Sequence, residues 1–386
     1  MRLSKTPRAP IRGPAAATGR NGLRTTAGLA GGCAGLAFAL LALATQGTGG
    51  AGLDPAGAAP GDLSSAASDR IPLVRELVRP TAPRLTSKGT ALLALPWGDG
   101  PGQVGVTTGS DSEGRGPECL AIAPDGRIAI LDSVNSRLVL VDGSGAAAGV
   151  IPLTLRSPRF LAVTSEAIHV LDADEDRLLL AFSWEGAQVS SRPVGPFPEP
   201  VTALLLDGDA PVIEVGHRGT LTPDTLSPGS RAGAEVGGST SAEVTPGRPM
   251  ARQSGRRAEA SLTPGSRPYV EDVDPSKGRR RGWDLDVDER LKLDHLVSLD
   301  SDGSEGLILG MRVIDPPDRT DTRRLERGTL LLTKLGTIAP PLLLEEQGSV
   351  YLGQPYVVGP DGRVYQPIAS DNGYTVVVHT FEEGPR

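Results

Sequence analysis

The chain has 386 residues, of which 38% are hydrophobic and 3% aromatic. Its 50 glycines and 34 prolines exclude long helices as the main element, because these residues are the least favourable in a helix interior. Without the residues before Asp54, 33 basic face 46 acidic side chains, a net charge of −13, which excludes a general nucleic-acid binder.

The first predicted element is an export segment at residues 1–44. Every charge before Asp54 is positive, and Leu29–Ala44 runs without a charge. This apolar run is short for a membrane span but suits a signal-peptide core, with Ala42-Leu43-Ala44 as an A-x-A cleavage site. The long basic region leaves a signal anchor as the alternative. We therefore expect an exported protein, periplasmic, secreted or membrane-anchored, that contacts the membrane only through this segment.

Residues 45–86 are predicted to be a flexible tether, because they are rich in Gly, Ala, Ser and Pro and show little periodicity. Residues 87–386 are predicted to form one all-β domain. Within it, residues 222–267 contain almost no large apolar side chain, which indicates a loop-rich insertion. Part of that insertion, residues 247–262, is compatible with an irregular blade.

The body repeats itself at a spacing of about forty residues. Gly116–Val141 and Ser157–Ala181 follow one pattern, and a weaker copy begins at Pro200. Each copy reads as a strand, a tight turn, a strand, a second turn and a third strand. We assign a structural turn role to positions that correspond between copies, namely Asp132, Asn135 and Arg137, Asp172 and Arg177, and Glu214.

The first copy shows the turn chemistry most clearly. Asp132 ends a strand, where its carboxylate can accept hydrogen bonds from the turn backbone and from Arg137. Asn135 tolerates the left-handed conformation that the turn needs. With Pro117, the Ala121-Ile122 strand, Asp125-Gly126-Arg127 and Asp132 to Leu138, the unit resembles the NHL repeat, a blade type of β-propellers. The resemblance is clearest at residues 116–142 and weaker at 157–186 and 356–380. It implies a propeller that serves as an interaction platform.

The two ends of the body are predicted to close the ring. Residues 360–363 repeat the Pro-Asp-Gly-Arg turn of residues 124–127, and Thr90–Leu95 is a strand ahead of the first full copy. Pairing an early strand with the last blade removes the free edges of a propeller. Units counted from 116, 157, 200, about 250, 291 and 340 predict a β-propeller of about six four-stranded blades.

Several short patterns suggest chemistry, but a loop or turn explains each better. Gly100 to Gly105 matches G-x-G-x-x-G, yet no helix can follow it to bind a phosphate. The acids of Asp300 to Glu305 and of Asp172 to Asp176 alternate without completing a calcium loop, and are predicted to be solvated turns. The run Arg279 to Arg281 is predicted to be an exposed basic loop.

The histidines and the cysteine of the body form no recognisable site. No metal-ligand spacing joins the four histidines, and the cysteine is predicted to be a small buried strand residue. These residues are His169, His217, His295, His379 and Cys119. We therefore assign no catalytic residue, no cofactor and no metal ligand.

The sequence favours a non-catalytic platform for a protein or peptide partner, because repeat architectures present recognition loops on a rigid core. The alternative is a metal-dependent propeller hydrolase or lyase, which some similar propellers are. That alternative requires carboxylates of different blades to converge on the central channel, with Asp132, Asp172 and Glu214 as the candidates.

Overall fold

The computed structural model describes part of the chain, within the unit Gly61–Arg386. The described residues are 73–78, 89–108, 114–217, 219–226, 244–250, 255–261, 268–285, 292–303, 306–314, 329–335, 342–344 and 350–381. The predicted export segment, residues 1–44, lies outside them. Among the helices of these ranges, none has the length and apolarity needed to cross a bilayer.

The described elements are β-strands and two short 3-10 turns, Pro223–Leu226 and Pro275–Lys277. Three strands precede the first complete blade: β1 (Leu73–Val78), β2 (Thr90–Leu95) and β3 (Gly114–Arg115). Blade 1 consists of β4 (Cys119–Ile122), β5 (Ile128–Asp132), β6 (Arg137–Val141) and β7 (Ala147–Pro152). Blade 2 consists of β8 (Phe160–Val163), β9 (Ala167–Asp172), β10 (Leu178–Ser183) and β11 (Gln188–Pro193). Blade 3 consists of β12 (Val201–Asp207), β13 (Ala210–Val215), β14 (Gly219–Leu221) and β15 (Thr245–Pro246).

The second half of the ring follows the same order. Blade 4 consists of β16 (Arg248–Pro249), β17 (Arg257–Ser261), β18 (Tyr269–Asp274) and β19 (Arg279–Leu285). Blade 5 consists of β20 (Lys292–Ser301), β21 (Leu307–Ile314), β22 (Thr329–Leu335) and β23 (Leu342–Leu343). After the short strand β24 (Val350–Tyr351), blade 6 is built from β25 (Val357–Val358), β26 (Val364–Ser370), β27 (Gly373–His379) and β2. The prediction of an all-β propeller with six four-stranded blades is confirmed.

The N-terminal strand closes the ring, as predicted. Strand β2 pairs antiparallel with β27, with Leu95 opposite Tyr374. The indole nitrogen of Trp97 then donates a 2.8 Å hydrogen bond to the carbonyl oxygen of Ser370. Because the outermost strand of the last blade comes from the start of the domain, both ends of the described propeller are held in one sheet.

The apolar core lies between neighbouring blades. Leu131 and Leu138 of blade 1 pack with Val170 and Leu180 of blade 2, and all four are buried. The middle strands β5 and β6 are buried along their whole length, whereas the outer strand β7 is almost entirely exposed. Each fully buried Leu or Val stabilises the fold by about 1.5–3 kcal/mol. These interfaces hold the inner strands in place around the axis.

The Pro-Asp-Gly-Arg turn has the same geometry in blades 1 and 6. Gly126 and Gly362 have φ of 88° and 75°, a left-handed conformation that glycine adopts without a steric penalty. In each turn the preceding aspartate accepts a 3.1 Å bond from the amide of the following arginine. The repeated turn inferred from the sequence is therefore confirmed.

Two features differ from the sequence-based expectations. Residues 342–343 form the outer strand of blade 5, so the last blade begins at Val357 and not near 340. The spacing lengthens because β20 and β21 have ten and eight residues and a long connection follows β21. Residues 73–78 lie within the predicted tether but form β1, which pairs in parallel with β19. Because β19 is distant in the sequence, the composition of residues 73–78 alone does not indicate this pairing.

The predicted insertion, residues 222–267, contains three strands in the described part. Strand β15 completes blade 3, while β16 and β17 begin blade 4 and fall within residues 247–262, the stretch compatible with an irregular blade. Residues 227–243 lie outside the described ranges.

Candidate functional site: the central channel

The first strand of every blade lines a central cavity of about 510 Å³. These inner strands are β4, β8, β12, β16, β20 and β25. The volume falls within the range of ligand-binding clefts. The wall combines apolar residues such as Leu161 and Leu205 with a few ionisable side chains, so the cavity can hold an amphipathic ligand.

The inner strands also present their main chain to this cavity. Each inner strand pairs with one neighbour, so its second edge is not paired with another strand of its sheet. A side-chain amide already meets one such group, because Gln354 Oε1 accepts a 3.3 Å hydrogen bond from the amide of Leu120. Free strand edges accept additional extended chains. The channel therefore offers main-chain donors and acceptors as well as side chains.

Arg248 is the centre of a polar network in the channel wall. Its Nε and Nη2 donate bonds of 2.8 and 3.0 Å to the two carboxylate oxygens of Glu214. Its Nη1 donates to Asp300 Oδ1 at 3.2 Å and to the carbonyl oxygen of Leu299 at 2.9 Å. This side chain of blade 4 thus joins carboxylates from blades 3 and 5, and bidentate pairing gives it a fixed orientation.

Hydroxyl groups extend the network on both sides. Ser298 Oγ donates a 2.6 Å bond to Asp300 Oδ2 and forms a short hydrogen bond with Tyr356. Thr202 Oγ1 donates a 2.8 Å bond to Glu214 Oε2, and His217 Nδ1 lies 3.7 Å from the same oxygen. The network therefore runs through blades 3, 4, 5 and the segment that enters blade 6.

The ionisation states follow from burial and charge. Burial alone would raise the pKa of Glu214, but the Arg248 charge and the hydrogen bonds from Arg248 and Thr202, with His217 nearby, outweigh it and hold the pKa well below its ordinary value. Burial would lower the pKa of Arg248, yet Glu214 and Asp300 raise it above its usual range. Burial and the charge of Asp300 raise the pKa of Tyr356. Glu214 and Arg248 are therefore charged and Tyr356 is neutral at neutral pH.

A second ionic cluster lies across the channel. Glu118 Oε1 is 3.3 Å from Arg115 Nη2 and 3.7 Å from Arg159 Nε, and Arg159 also reaches Asp174 at 3.3 Å. Neighbouring Cys119 is partly buried, and burial together with the charge of Glu118 raises the pKa of its thiol. A protonated thiol is a poor nucleophile.

The repeat residue Asp132 is fully buried at the end of β5. Its carboxylate accepts bonds from the amides of Gly105 and Asn135, from Nδ2 of Asn135 at 2.8 Å and from Nε of Arg137 at 2.8 Å. Arg137 in turn donates to the carbonyl oxygens of Gly98 and Gln103. The G-x-G-x-x-G segment is therefore a loop that is held against blade 1 through the carbonyl of Gln103, bonded to Arg137, and the amide of Gly105, bonded to Asp132.

The second repeat differs from the alignment inferred from the sequence. Asp172 accepts bonds from the amides of Ser157, Asp174 and Glu175. Arg177 does not correspond to Arg137, because Asp172 lies opposite Leu178 and the turn is one residue longer.

The structural equivalent of Arg177 is Ser136. Both have φ of 51°, and their carbonyl oxygens accept 2.8 Å bonds from Val194 and Leu153, each seventeen residues later. The extra residue in the turn of blade 2 therefore places Arg137 and Arg177 at different structural positions.

Neither Asp132 nor Asp172 lines the cavity, and the third candidate, Glu214, adjoins it in the wall through Arg248. In the part of the chain that the structure describes, no group of three or more His, Cys, Asp and Glu side chains is placed to hold a metal ion.

Two sequence interpretations need correction. Asp300 is not an acid of a solvated turn: it lies in β20, lines the channel and contacts Arg248. The run Arg279 to Arg281 is not an exposed loop, because it opens strand β19 and Arg280 pairs with Glu271 at 2.6 Å. Asp302, the next acid of the first motif, pairs with Lys334 at 2.8 Å.

The histidines are dispersed. His217 lines the channel, His169 lies in β9 with its pKa lowered by burial and by Arg192, and His379 meets Gln366 at 3.1 Å. The side chain of His295 lies outside the described part. Sequence reasoning missed Arg248 and Ser298 altogether, since neither belongs to a motif.

Comparisons with known proteins assign no family to this chain. The sequence matches no protein-family profile and no curated protein. Hydrazine synthase of Kuenenia stuttgartiensis is 14% identical, with 67% of this chain and 76% of that chain covered and a TM-score of 0.39. Virginiamycin B lyase from Staphylococcus aureus is 8% identical, with coverages of 72% and 98% and a TM-score of 0.37. BamB from Moraxella catarrhalis is 11% identical, with coverages of 78% and 95% and a TM-score of 0.33. Likeness at this level assigns no ligand.

Proposed function

We propose that this protein is an exported or envelope-associated β-propeller that acts as a non-catalytic platform for a protein or peptide, with the central channel as the binding site. The observation that supports the proposal is the 510 Å³ cavity, in which six inner strands bring main-chain edges and apolar side chains around one space. A cavity that is already formed in the free protein avoids the free-energy cost of ordering its wall when a ligand binds.

An extended peptide fits the chemistry of this wall. Peptides that add to an exposed strand edge gain affinity from main-chain hydrogen bonds and specificity from pockets for alternate side chains. The amide of Gln354, bonded to the backbone of Leu120, occupies one such main-chain position in the free protein. A partner segment supplies further groups of the same type.

The pairing of the channel side chains favours binding over hydrolysis. Glu214 and Asp300 both bond to Arg248, and the hydroxyl of Ser298 donates to Asp300. A serine nucleophile is activated by an adjacent general base that is available to take its proton. The carboxylate that Ser298 contacts is already paired with Arg248. The alternative of a metal-dependent hydrolase or lyase predicts stabilisation of the fold by divalent cations, which thermal unfolding with and without chelator measures.

The envelope location rests on residues 1–44, with their basic start and apolar run. The resemblance of residues 116–142 to an NHL repeat supports the platform, since many propellers of that type bind proteins. Sequencing the first residues of the mature protein distinguishes cleavage after Ala44 from an anchor.

The test is affinity purification of a C-terminally tagged chain from native envelope and medium after mild cross-linking. Ala203 lines the channel and is only partly buried, so Ala203→Trp fills the cavity. Ala148 is exposed on β7, so Ala148→Trp is the matched control. The proposal expects one near-stoichiometric partner with the wild type and Ala148→Trp that is lost with Ala203→Trp. Equal recovery with all three, or recovery of the tagged chain alone, overturns it.

A further inference from the structure

We propose that the channel recognises a cationic side chain, lysine or arginine, of the bound peptide, and that Asp300 is its counter-charge. The inference rests on the proposed function and names the partner chemistry of the same site. It derives from the charge balance and geometry of the Arg248 network.

Two carboxylates share one guanidinium in this network. Glu214 and Asp300 are both bonded to Arg248, and the neighbouring groups Ser298, Thr202 and Tyr356 are uncharged hydroxyls. The two carboxylates and the one guanidinium leave this cluster with one excess negative charge. An excess charge in a partly enclosed site acts more strongly than on an open surface, because the effective dielectric is lower.

The geometry assigns this excess charge to Asp300. Arg248 directs both Nε and Nη2 to Glu214, and gives Asp300 only Nη1, which it shares with the carbonyl oxygen of Leu299. The Glu214 side chain is 4% exposed, whereas that of Asp300 is 28% exposed and lines the channel. Asp300 is thus the carboxylate that an incoming cation can reach.

The other charged groups of the channel do not neutralise this excess negative charge. On the opposite wall Glu118 lies between Arg115 and Arg159, and Arg159 also contacts Asp174. Asp209, in the turn between β12 and β13, also lines the cavity and adds negative charge. His217 is the one imidazole among the described lining residues and already faces Glu214.

The surroundings of Asp300 suit the whole of a long basic side chain. Apolar residues such as Leu205, Val297 and Val358 line the same cavity. Lysine and arginine pack their aliphatic stems against apolar surface while the charged end bonds to an acid. An ammonium or guanidinium at Asp300 forms a charge-assisted hydrogen bond, which is stronger than a bond between neutral groups.

The experiment selects random nine-residue peptides displayed on phage against the wild-type protein, with Ala203→Trp used to discard peptides that bind outside the channel. Lysine or arginine should be enriched at one position of the retained peptides. In the selected peptide, norleucine in place of that residue should weaken binding about tenfold or more, as expected for a close charge pair. Asp300→Asn should lower the affinity for the basic peptide by the same factor and leave the affinity for the norleucine peptide unchanged.

Asp371→Asn is the matched control, because Asp371 is exposed in a turn of blade 6 away from the cavity. If Asp300→Asn does not fold, the salt dependence of the wild type decides: affinity for the basic peptide falls with ionic strength and that for the norleucine peptide does not. Channel-dependent peptides without an enriched basic residue overturn this inference and leave the platform standing. The absence of any channel-dependent peptide overturns both.

Discussion

Nε of Arg137 donates a 2.8 Å hydrogen bond to Oδ2 of Asp132, across the turn that joins the two middle strands of blade 1. The two side chains are 9% and 0% exposed. Arg137 also bonds to the carbonyls of Gly98 and Gln103, so one guanidinium ties the blade to the loop that enters it. A buried pair of this kind stabilises through the groups that it satisfies, and losing one partner leaves a buried charge.

Arg137→Ala should therefore lower the free energy of unfolding by about 3–5 kcal/mol. Arg177→Ala is the matched control: Arg177 is exposed and lies in a different position of the equivalent turn, so the change should stay within about 0.5 kcal/mol. Urea unfolding followed by circular dichroism measures both. Equal losses would show that the two arginines have the same role after all.

Closure of the ring predicts a sharp contrast between neighbouring residues of β2. Leu93 is 5% exposed and packs against blades 6 and 1, whereas Ala94 is exposed. Leu93→Asp buries an unpaired charge and should destabilise the fold by about 4 kcal/mol or more, while Ala94→Asp should change stability by less than about 1 kcal/mol. Thermal unfolding compares them, and similar melting temperatures would argue against β2 as the closing strand.

The two equivalent Pro-Asp-Gly-Arg turns allow the energetic cost of backbone strain to be measured apart from the cost of steric overlap. Gly126→Ala meets only the strain of a positive φ, about 1–2 kcal/mol, because the nearest atom to its new Cβ would be 3.8 Å away. At Gly362 the Cβ would come within 2.5 Å of the carbonyl oxygen of Asp302, so Gly362→Ala should cost about 1–3 kcal/mol more. Chemical denaturation of the two variants measures this difference in stability. The difference should vanish if blade 5 does not contact blade 6 at the turn of Gly362.

Glu214 predicts a pH-dependent term in stability. Because its pKa in the folded protein lies below the ordinary value of 4.5, its contribution is present above that pH and is lost as the pH falls below it. Glu214→Gln should cost about 3 kcal/mol at pH 7. The gap between wild type and variant should then narrow by up to about 1.4 kcal/mol per pH unit below 4.5. A gap independent of pH between 3 and 7 would contradict the Glu214–Arg248 pairing.

Much of the fold was predictable from local pattern. Period-two alternation in Leu120 to Ile130, the Pro-Asp-Gly-Arg turn and the strand at Thr90–Leu95 are signals contained in a few neighbouring residues. The predicted equivalence of Arg137 and Arg177 was wrong because the turn in blade 2 contains one more residue than the turn in blade 1. Both arginines have the same sequence separation from the repeated aspartate, so the sequence alignment did not reveal this insertion. Strand β1 was missed because its partner, β19, lies far away in the sequence, with Leu73 opposite Arg280.

The channel network was not predictable in the same way. Glu214, Arg248 and Asp300 come from three consecutive blades, and their association depends on how these blades pack side by side rather than on any local spacing. Asp300 looked like a turn acid because Gly303 follows it closely, yet β20 extends through Ser301 and carries it to the axis. Convergence of this type is a property of the assembled ring.

The most direct test of the central claim is to place a photoreactive amino acid at position 205, on the channel wall, and in a second variant at position 148, on the outer strand of blade 1. Irradiation in the native envelope, followed by mass spectrometry of the adducts, locates the bound partner. The account predicts one peptide-linked adduct from position 205 and none from position 148. An adduct from position 148 alone, or from neither position, would contradict a channel-binding platform.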